Sequence, residues 1–116
     1  MFEIIPVAGA LGAEIHGIDL CVQLSEEHRL KLRKLLVEYG VIFFRDQDIS
    51  PERHKALAES FGPLQTHPAY QTVAGFPEIT ILESTADKPS KIEAWHTDMT
   101  FREHPPMGTL LRAVIV

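Results

Sequence analysis

The chain has 116 residues, enough for one small domain. Its 45% hydrophobic and 23% charged residues are ordinary for a water-soluble globular protein with a modest core. The formal net charge of -5 argues against a general nucleic-acid binder and against an anionic membrane surface as partner. A single cysteine excludes an internal disulfide and fits a reducing cytoplasm. No apolar run approaches the roughly 18 to 20 residues of a membrane span, and Glu3 and Glu14 interrupt an N-terminus that lacks a basic signal-peptide region.

In chain order, Glu3 to Val7 and Ala13 to His16 read as short strands joined by a glycine turn. Ser25 is a good helix N-cap, and Glu26 and Glu27 suit the positive end of the helix dipole. Leu32, Leu35, Leu36 and Tyr39 recur at the spacing of one apolar helix face, and Gly40 is a natural stop. The charges from Glu26 to Lys34 read as the wet face of that helix. Val41 to Phe44 is a short apolar run, expected as a buried strand.

Ser50 and Pro51 open a second helix, with Leu57, Ala58 and Phe61 on its apolar face and Gly62-Pro63 at its end. Gln65 to Phe76 reads as a loop and Glu78 to Leu82 as a strand. Ser84 to Glu93 is polar and mobile in character. Ala94 to Phe101 and Gly108 to Val116 read as two further strands on either side of Pro105-Pro106. An apolar strand that stops without a turn signal is expected of a fold truncated at its C-terminal end.

The residues that carry chemistry lie in Trp95-His96-Thr97-Asp98. In an extended segment side chains alternate faces, so His96 and Asp98 would point the same way. One imidazole nitrogen and one carboxylate oxygen then converge as two members of a 2-His-1-carboxylate triad, which leaves positions open on a non-haem Fe(II) ion. By itself a His-x-Asp triplet is also the pattern of an ordinary surface pair. Among the other histidines, His28 reads as solvated and His54 as packed on its helix, and His16 has no assigned role. Cys21, with no cysteine or basic cluster near it, reads as a small apolar filler.

The stretch Trp95 to Ala113, WHTDMTFREHPPMGTLLRA, closely resembles the TauD/TfdA family of taurine-type dioxygenases. Further blocks resemble the family in the same order: Val41 to Gln47 as its strand and turn, Ala58 to Leu64 as a helix end, and His67-Pro68-Ala69-Tyr70 as a loop. The resemblance covers nearly the whole chain but only about the first half of a family member.

It implies an α+β chain forming the N-terminal part of a double-stranded β-helix (jelly-roll), with two flanking helices and the barrel incomplete. Residues 1–116 would be a single TauD/TfdA-like domain, truncated at the C-terminal end. It further implies Fe(II) as cofactor, bound by His96 and Asp98, with 2-oxoglutarate as co-substrate. Molecular oxygen and a small acid, taurine-like or another sulfonate, sulfate or related acid, would be the other reactants. His67 and Tyr70 would contact that substrate, and Met99 and Phe101 would line its pocket.

Two departures bear on these expectations. Ile92 stands where taurine enzymes carry a substrate-holding Asn, which argues against strict taurine specificity. The family's distal His ligand and its 2-oxoglutarate-binding Arg have no counterpart in these 116 residues, and His104 is too close to His96 to serve as the third ligand. A second chain or a missing C-terminal half would then complete the site, with a homo-oligomer one way to do so. The alternative is a catalytically inactive remnant, or an interaction module of the same fold.

Overall fold

The computed structural model describes residues 2–116, which fall into two compact units dividing after Phe61. The first unit is built on strands β1 (Glu3–Pro6), β2 (Ala13–His16) and β3 (Ile42–Phe43), with helices α1 (Glu26–Tyr39) and α2 (Pro51–Glu59). β2 is central, antiparallel to β1 with Glu3 opposite His16, and parallel to β3 with Ala13 opposite Ile42. A parallel neighbour needs a crossover, and α1 occupies the one between β2 and β3.

β2 follows the period of two expected of a half-buried strand. Ala13 and Ile15 are buried, while Glu14 and His16 face the wetter side. Leu32 and Leu35 of α1 join them in the core, together with Phe2, Leu20, Ile49 and Leu57. Leu36 and Tyr39 flank this stripe and are half-buried.

Both helices start where their caps predict. The Ser25 side chain accepts a hydrogen bond from the His28 amide, and Ser50 accepts one from Arg53. Pro51 stands in the first turn of α2, where no intrahelical donor is needed. α1 ends at Gly40, whose φ of 75° suits glycine and whose amide donates to the Leu36 carbonyl. A Cβ there would stand 2.6 Å from a Leu11 methyl, which an exposed leucine can move, so it is the positive φ that calls for glycine.

The charges of α1 lie on a wet face as expected, and two of them also make long-range bonds. Arg29 donates to the Ser60 carbonyl at 3.2 Å, and Arg33 donates to the Phe61 carbonyl at 2.9 Å. The end of α2 leaves carbonyls without intrahelical donors, and these two guanidinium groups satisfy two carbonyls there. Arg29 is also paired with Glu26 one turn earlier.

Gln47 ties the chain after β3 to the segment after β2. Its Oε1 accepts from the Leu20 amide, and its Nε2 donates to the Ile18 and Arg45 carbonyls. Cys21 is exposed rather than a buried filler. Its thiol is raised, first by desolvation and then by the Asp19 hydrogen bond, the opposite of an activated nucleophile.

Glu14 receives two hydrogen bonds from Arg45, at 3.0 and 2.7 Å, and its other oxygen lies 3.1 Å from His16. Arg45 first, and His16 second, hold the Glu14 carboxyl below its ordinary range. The folded state therefore binds this proton more weakly than the unfolded chain does. The resulting stabilisation is present above the unfolded carboxylate range and disappears as pH falls through the folded value. Arg45→Met is expected to lower neutral-pH stability modestly. Urea melts of the variant and the wild type should converge in acid, where Glu14 is protonated in both.

The second unit runs from Gly62 and contains one hairpin, β4 (Thr72–Val73) and β5 (Phe76–Thr80). The turn uses Gly75 at φ 81°, and the ladder carries an irregularity at Thr72 and Val73. The hairpin thus begins inside the expected loop 65–76, and its second strand is shifted towards the N-terminus from the expected Glu78 to Leu82.

Neither Ala94 to Phe101 nor Gly108 to Val116 is a strand. Strand propensity forms a strand only where a neighbouring ladder takes the backbone donors and acceptors. Leu111, Val114, Ile115 and Val116 are instead exposed, and Met99 at φ 59° breaks the extended path within the first segment. No closed barrel forms among the described residues.

Candidate functional site

His96 and Asp98 come together two positions apart, as expected, although the segment is not a strand. His96 Nε2 and Asp98 Oδ1 are 3.2 Å apart. The chain turns just after the pair, where the Arg102 amide donates to the Met99 carbonyl and the hydroxyls of Thr97 and Thr100 meet at 2.7 Å.

His96 Nδ1 lies 2.8 Å from the Ala94 carbonyl, an acceptor only, so Nδ1 carries a proton. Nε2 faces the Asp98 carboxylate, also an acceptor, so the protonated ring donates there as well; in the neutral ring Nε2 carries the lone pair that a metal ion would take up. The Ala94 hydrogen bond is the main reason the His96 pKa is raised. The Asp98 carboxylate adds to the rise and desolvation opposes it. On the far side of the carboxylate, the Thr109 hydroxyl donates to Asp98 Oδ2 at 3.2 Å.

Both side chains are 54% exposed, so the pair stands open to solvent rather than in a shielded pocket. A shallow depression beside it is lined by Ile92, Glu93, Ala94, Trp95 and His96. Ile92 thus lies next to the candidate ligand it precedes by four residues.

Three of the four residues expected at the substrate gather around one imidazole. The His67 ring centroid is 4.7 Å from that of Tyr70 and 6.4 Å from that of Phe101, the latter edge-on. His67 Nδ1 accepts from the Ala69 amide at 3.1 Å, so the proton of the neutral ring sits on Nε2, which becomes a donor. Met99, the fourth, begins the turn after Asp98 at φ 59°.

Two residues with no expected role fasten the 65–70 loop to the segment after Asp98. Arg102 donates to the Thr66 carbonyl at 2.7 Å, and Gln65 donates to the His104 carbonyl at 3.0 Å. Nothing in sequence spacing signals these bonds, which join residues more than thirty positions apart. Arg102→Leu is therefore expected to release the His67 ring from Phe101. Its ring-proton NMR shifts should move towards unstructured values, while β5 amide shifts stay fixed.

Among the described residues no group of three His, Cys, Asp or Glu side chains is disposed to hold a metal ion. The two-donor arrangement can nonetheless be tested for fit. Two ligands bound cis at about 2.1 Å, typical of nitrogen and oxygen donors, lie about 3 Å apart. The His96–Asp98 separation of 3.2 Å matches that bite with one neutral nitrogen and one anionic oxygen. The pair thus fits as two adjacent ligands of a divalent ion.

These features define a mixed helix-and-sheet chain with a solvent-open imidazole–carboxylate pair and a loop of stacked rings fastened to the segment after it. The chain belongs to the family described as taurine catabolism dioxygenase TauD, TfdA, which matches residues 3–116. It is 32% identical over 114 residues to an alpha-ketoglutarate-dependent sulfate ester dioxygenase of Pseudomonas putida, covering 97% of this chain and 37% of that protein. It is 33% identical over 111 residues to an alkylsulfatase of Acinetobacter baylyi, covering 95% of this chain and 34% of that one.

Among solved structures, a taurine dioxygenase from Burkholderia xenovorans superposes with a TM-score of 0.61 at 35% identity, covering 66% of this chain and 28% of its own. AAD-2, solved in complex with Mn(II) and N-oxalylglycine, gives a TM-score of 0.55 at 28% identity, covering 58% of this chain and 27% of its own. The chain therefore spans about a third of the length of these curated relatives. No helix among the described residues is long and apolar enough to cross a membrane.

Proposed function

We propose that this chain supplies two of the three metal ligands, His96 and Asp98, of an Fe(II)- and 2-oxoglutarate-dependent dioxygenase that hydroxylates a small sulfate, sulfonate or related acid. The observation that carries the reading is the 3.2 Å separation of His96 Nε2 and Asp98 Oδ1, which matches adjacent ligands on one ion. The family membership supports the reaction class, and the similarity to a sulfate ester dioxygenase and an alkylsulfatase supports the acidic substrate.

The bound iron would supply the redox chemistry that couples decarboxylation of 2-oxoglutarate by molecular oxygen to hydroxylation of an unactivated carbon. The protein's own residues bind and orient. His96 would donate its Nδ1–H to the Ala94 carbonyl and offer its Nε2 lone pair to the metal. Asp98 offers Oδ1 beside it. His67 Nε2–H donates to an anionic substrate oxygen, and the Tyr70 hydroxyl is a second donor. Phe101 and Met99 supply apolar wall. Ile92 provides no amide there, which favours an acid other than taurine.

The third ligand and the cation for the 2-oxoglutarate carboxylate are assigned to polypeptide outside these residues, in the same or a partner chain. The two units would belong to one TauD/TfdA-like domain whose remainder completes a jelly-roll. A cytoplasmic location belongs to the same proposal.

Anaerobic titration of Fe(II) with 2-oxoglutarate tests the reading. A metal-to-ligand charge-transfer band that disappears in Asp98→Ala is the expected result for a completed site. A completed enzyme that turns over normally without Asp98 would overturn the assignment. If the 116-residue chain gives no band while binding Fe(II) through His96 and Asp98, it is a half-site that requires its complement.

A further inference from the structure

We propose that Thr109 is a positioning residue of the metal pair, its hydroxyl holding the Asp98 carboxylate so that Oδ1 faces His96. This rests on the reading of His96 and Asp98 as ligands and extends it to a residue eleven positions further along the chain. The Thr109 hydroxyl donates to Asp98 Oδ2 at 3.2 Å, while Oδ1 lies 3.2 Å from His96 Nε2.

A carboxylate on a solvent-exposed segment rotates easily about its last torsion, for which the energy wells are broad. Held at one oxygen, it presents the other in a fixed direction. The imidazole is held in the same manner from its own far side, by the Ala94 carbonyl at 2.8 Å. Both donor atoms are thus braced at the atom that does not face the shared position, the arrangement by which outer hydrogen bonds orient metal ligands.

The two braces differ in what they depend on. Ala94 lies two residues before His96, so that hydrogen bond is set locally. Thr109 reaches Asp98 across eleven positions, so that bond depends on the path of the chain between them. The chemistry of the donor also matters. A lysine or arginine in this place would offset the carboxylate's negative charge and compete with the cation. A neutral hydroxyl fixes the group and leaves its charge for the metal.

The test uses Co(II), which needs no exclusion of air, titrated into the 116-residue chain. Binding is followed by quenching of Trp95, the sole tryptophan and exposed beside His96, and by Co(II) visible absorption. Thr109→Val keeps the shape and removes the hydroxyl, and it is expected to raise Kd by about 10-fold or more. Thr109→Ser keeps the hydroxyl and is expected to bind as the wild type does.

Asp98→Ala is measured alongside. If it weakens binding while Thr109→Val binds like the wild type, the positioning role is overturned and the ligand reading stands. A serine variant as weak as the valine variant overturns the role of the hydroxyl. If Asp98→Ala binds like the wild type, or the wild-type chain does not bind Co(II), the ligand reading falls and the role of Thr109 falls with it.

Discussion

Asp98→Ala and His96→Ala are each expected to abolish turnover in any complete enzyme that contains this segment. Metal affinity should fall by more than the roughly 10- to 100-fold typical of losing an outer hydrogen-bonding partner, because a ligand itself is removed. Each variant leaves one donor on an exposed segment, and one donor does not hold a divalent ion against water. Stability should hardly move. Both side chains are about half exposed, and surface changes of this kind usually stay within about 0.5 kcal/mol. Calorimetric metal titration and urea unfolding of the same samples check both halves. Wild-type rates in either variant, or a collapse of the fold, would sink the assignment.

The largest expected change in stability lies elsewhere. Leu32→Ala removes a side chain with no exposed surface from the face that α1 turns to the core. Such truncations cost about 2–5 kcal/mol, through lost burial and the cavity left behind. Small domains have about 5–15 kcal/mol in total, so this one change removes a large share. A urea midpoint that falls sharply with an unchanged slope is the expected signature. Leu32→Met, which conserves volume, should cost less than about 1.5 kcal/mol. An alanine variant as stable as the wild type would show that α1 does not depend on this contact.

The two variant sets separate two demands on the chain. Leu32 and its neighbours maintain the first unit, while His96 and Asp98 sit in the second on a segment with little burial. Exposure is what lets a ligand pair reach a metal, and it is also why the pair contributes little to folding. The candidate ligands are therefore expected to be dispensable for structure and indispensable for chemistry.

Features fixed by neighbouring residues were legible in the sequence. Ser25 and Ser50 cap helices because a side-chain oxygen three residues before an amide can reach it. Gly40 ends α1 because few other residues tolerate its φ. β2 alternates buried and open positions as its pattern predicts. The meeting of His96 with Asp98 is likewise local. Two residues separated by one can face each other with or without a strand ladder, so the pair was readable although no strand forms there.

Long-range partners decided the rest. Ala94 to Phe101 and Gly108 to Val116 carry strand-forming residues, yet a strand exists only where another backbone meets its hydrogen bonds, and none does here. Arg29 and Arg33 lie on the wet face of α1, yet only the fold brings carbonyls at the end of α2 within their reach. Arg102 finds Thr66, and His67 finds Phe101, across more than thirty residues. Thr109 finds Asp98 eleven positions back along the chain. Local chemistry could name the donors and the caps. Only the path of the folded backbone could say which side chains brace them, because the entropy of closing each loop is offset by many contacts at once and not by the pair that meets.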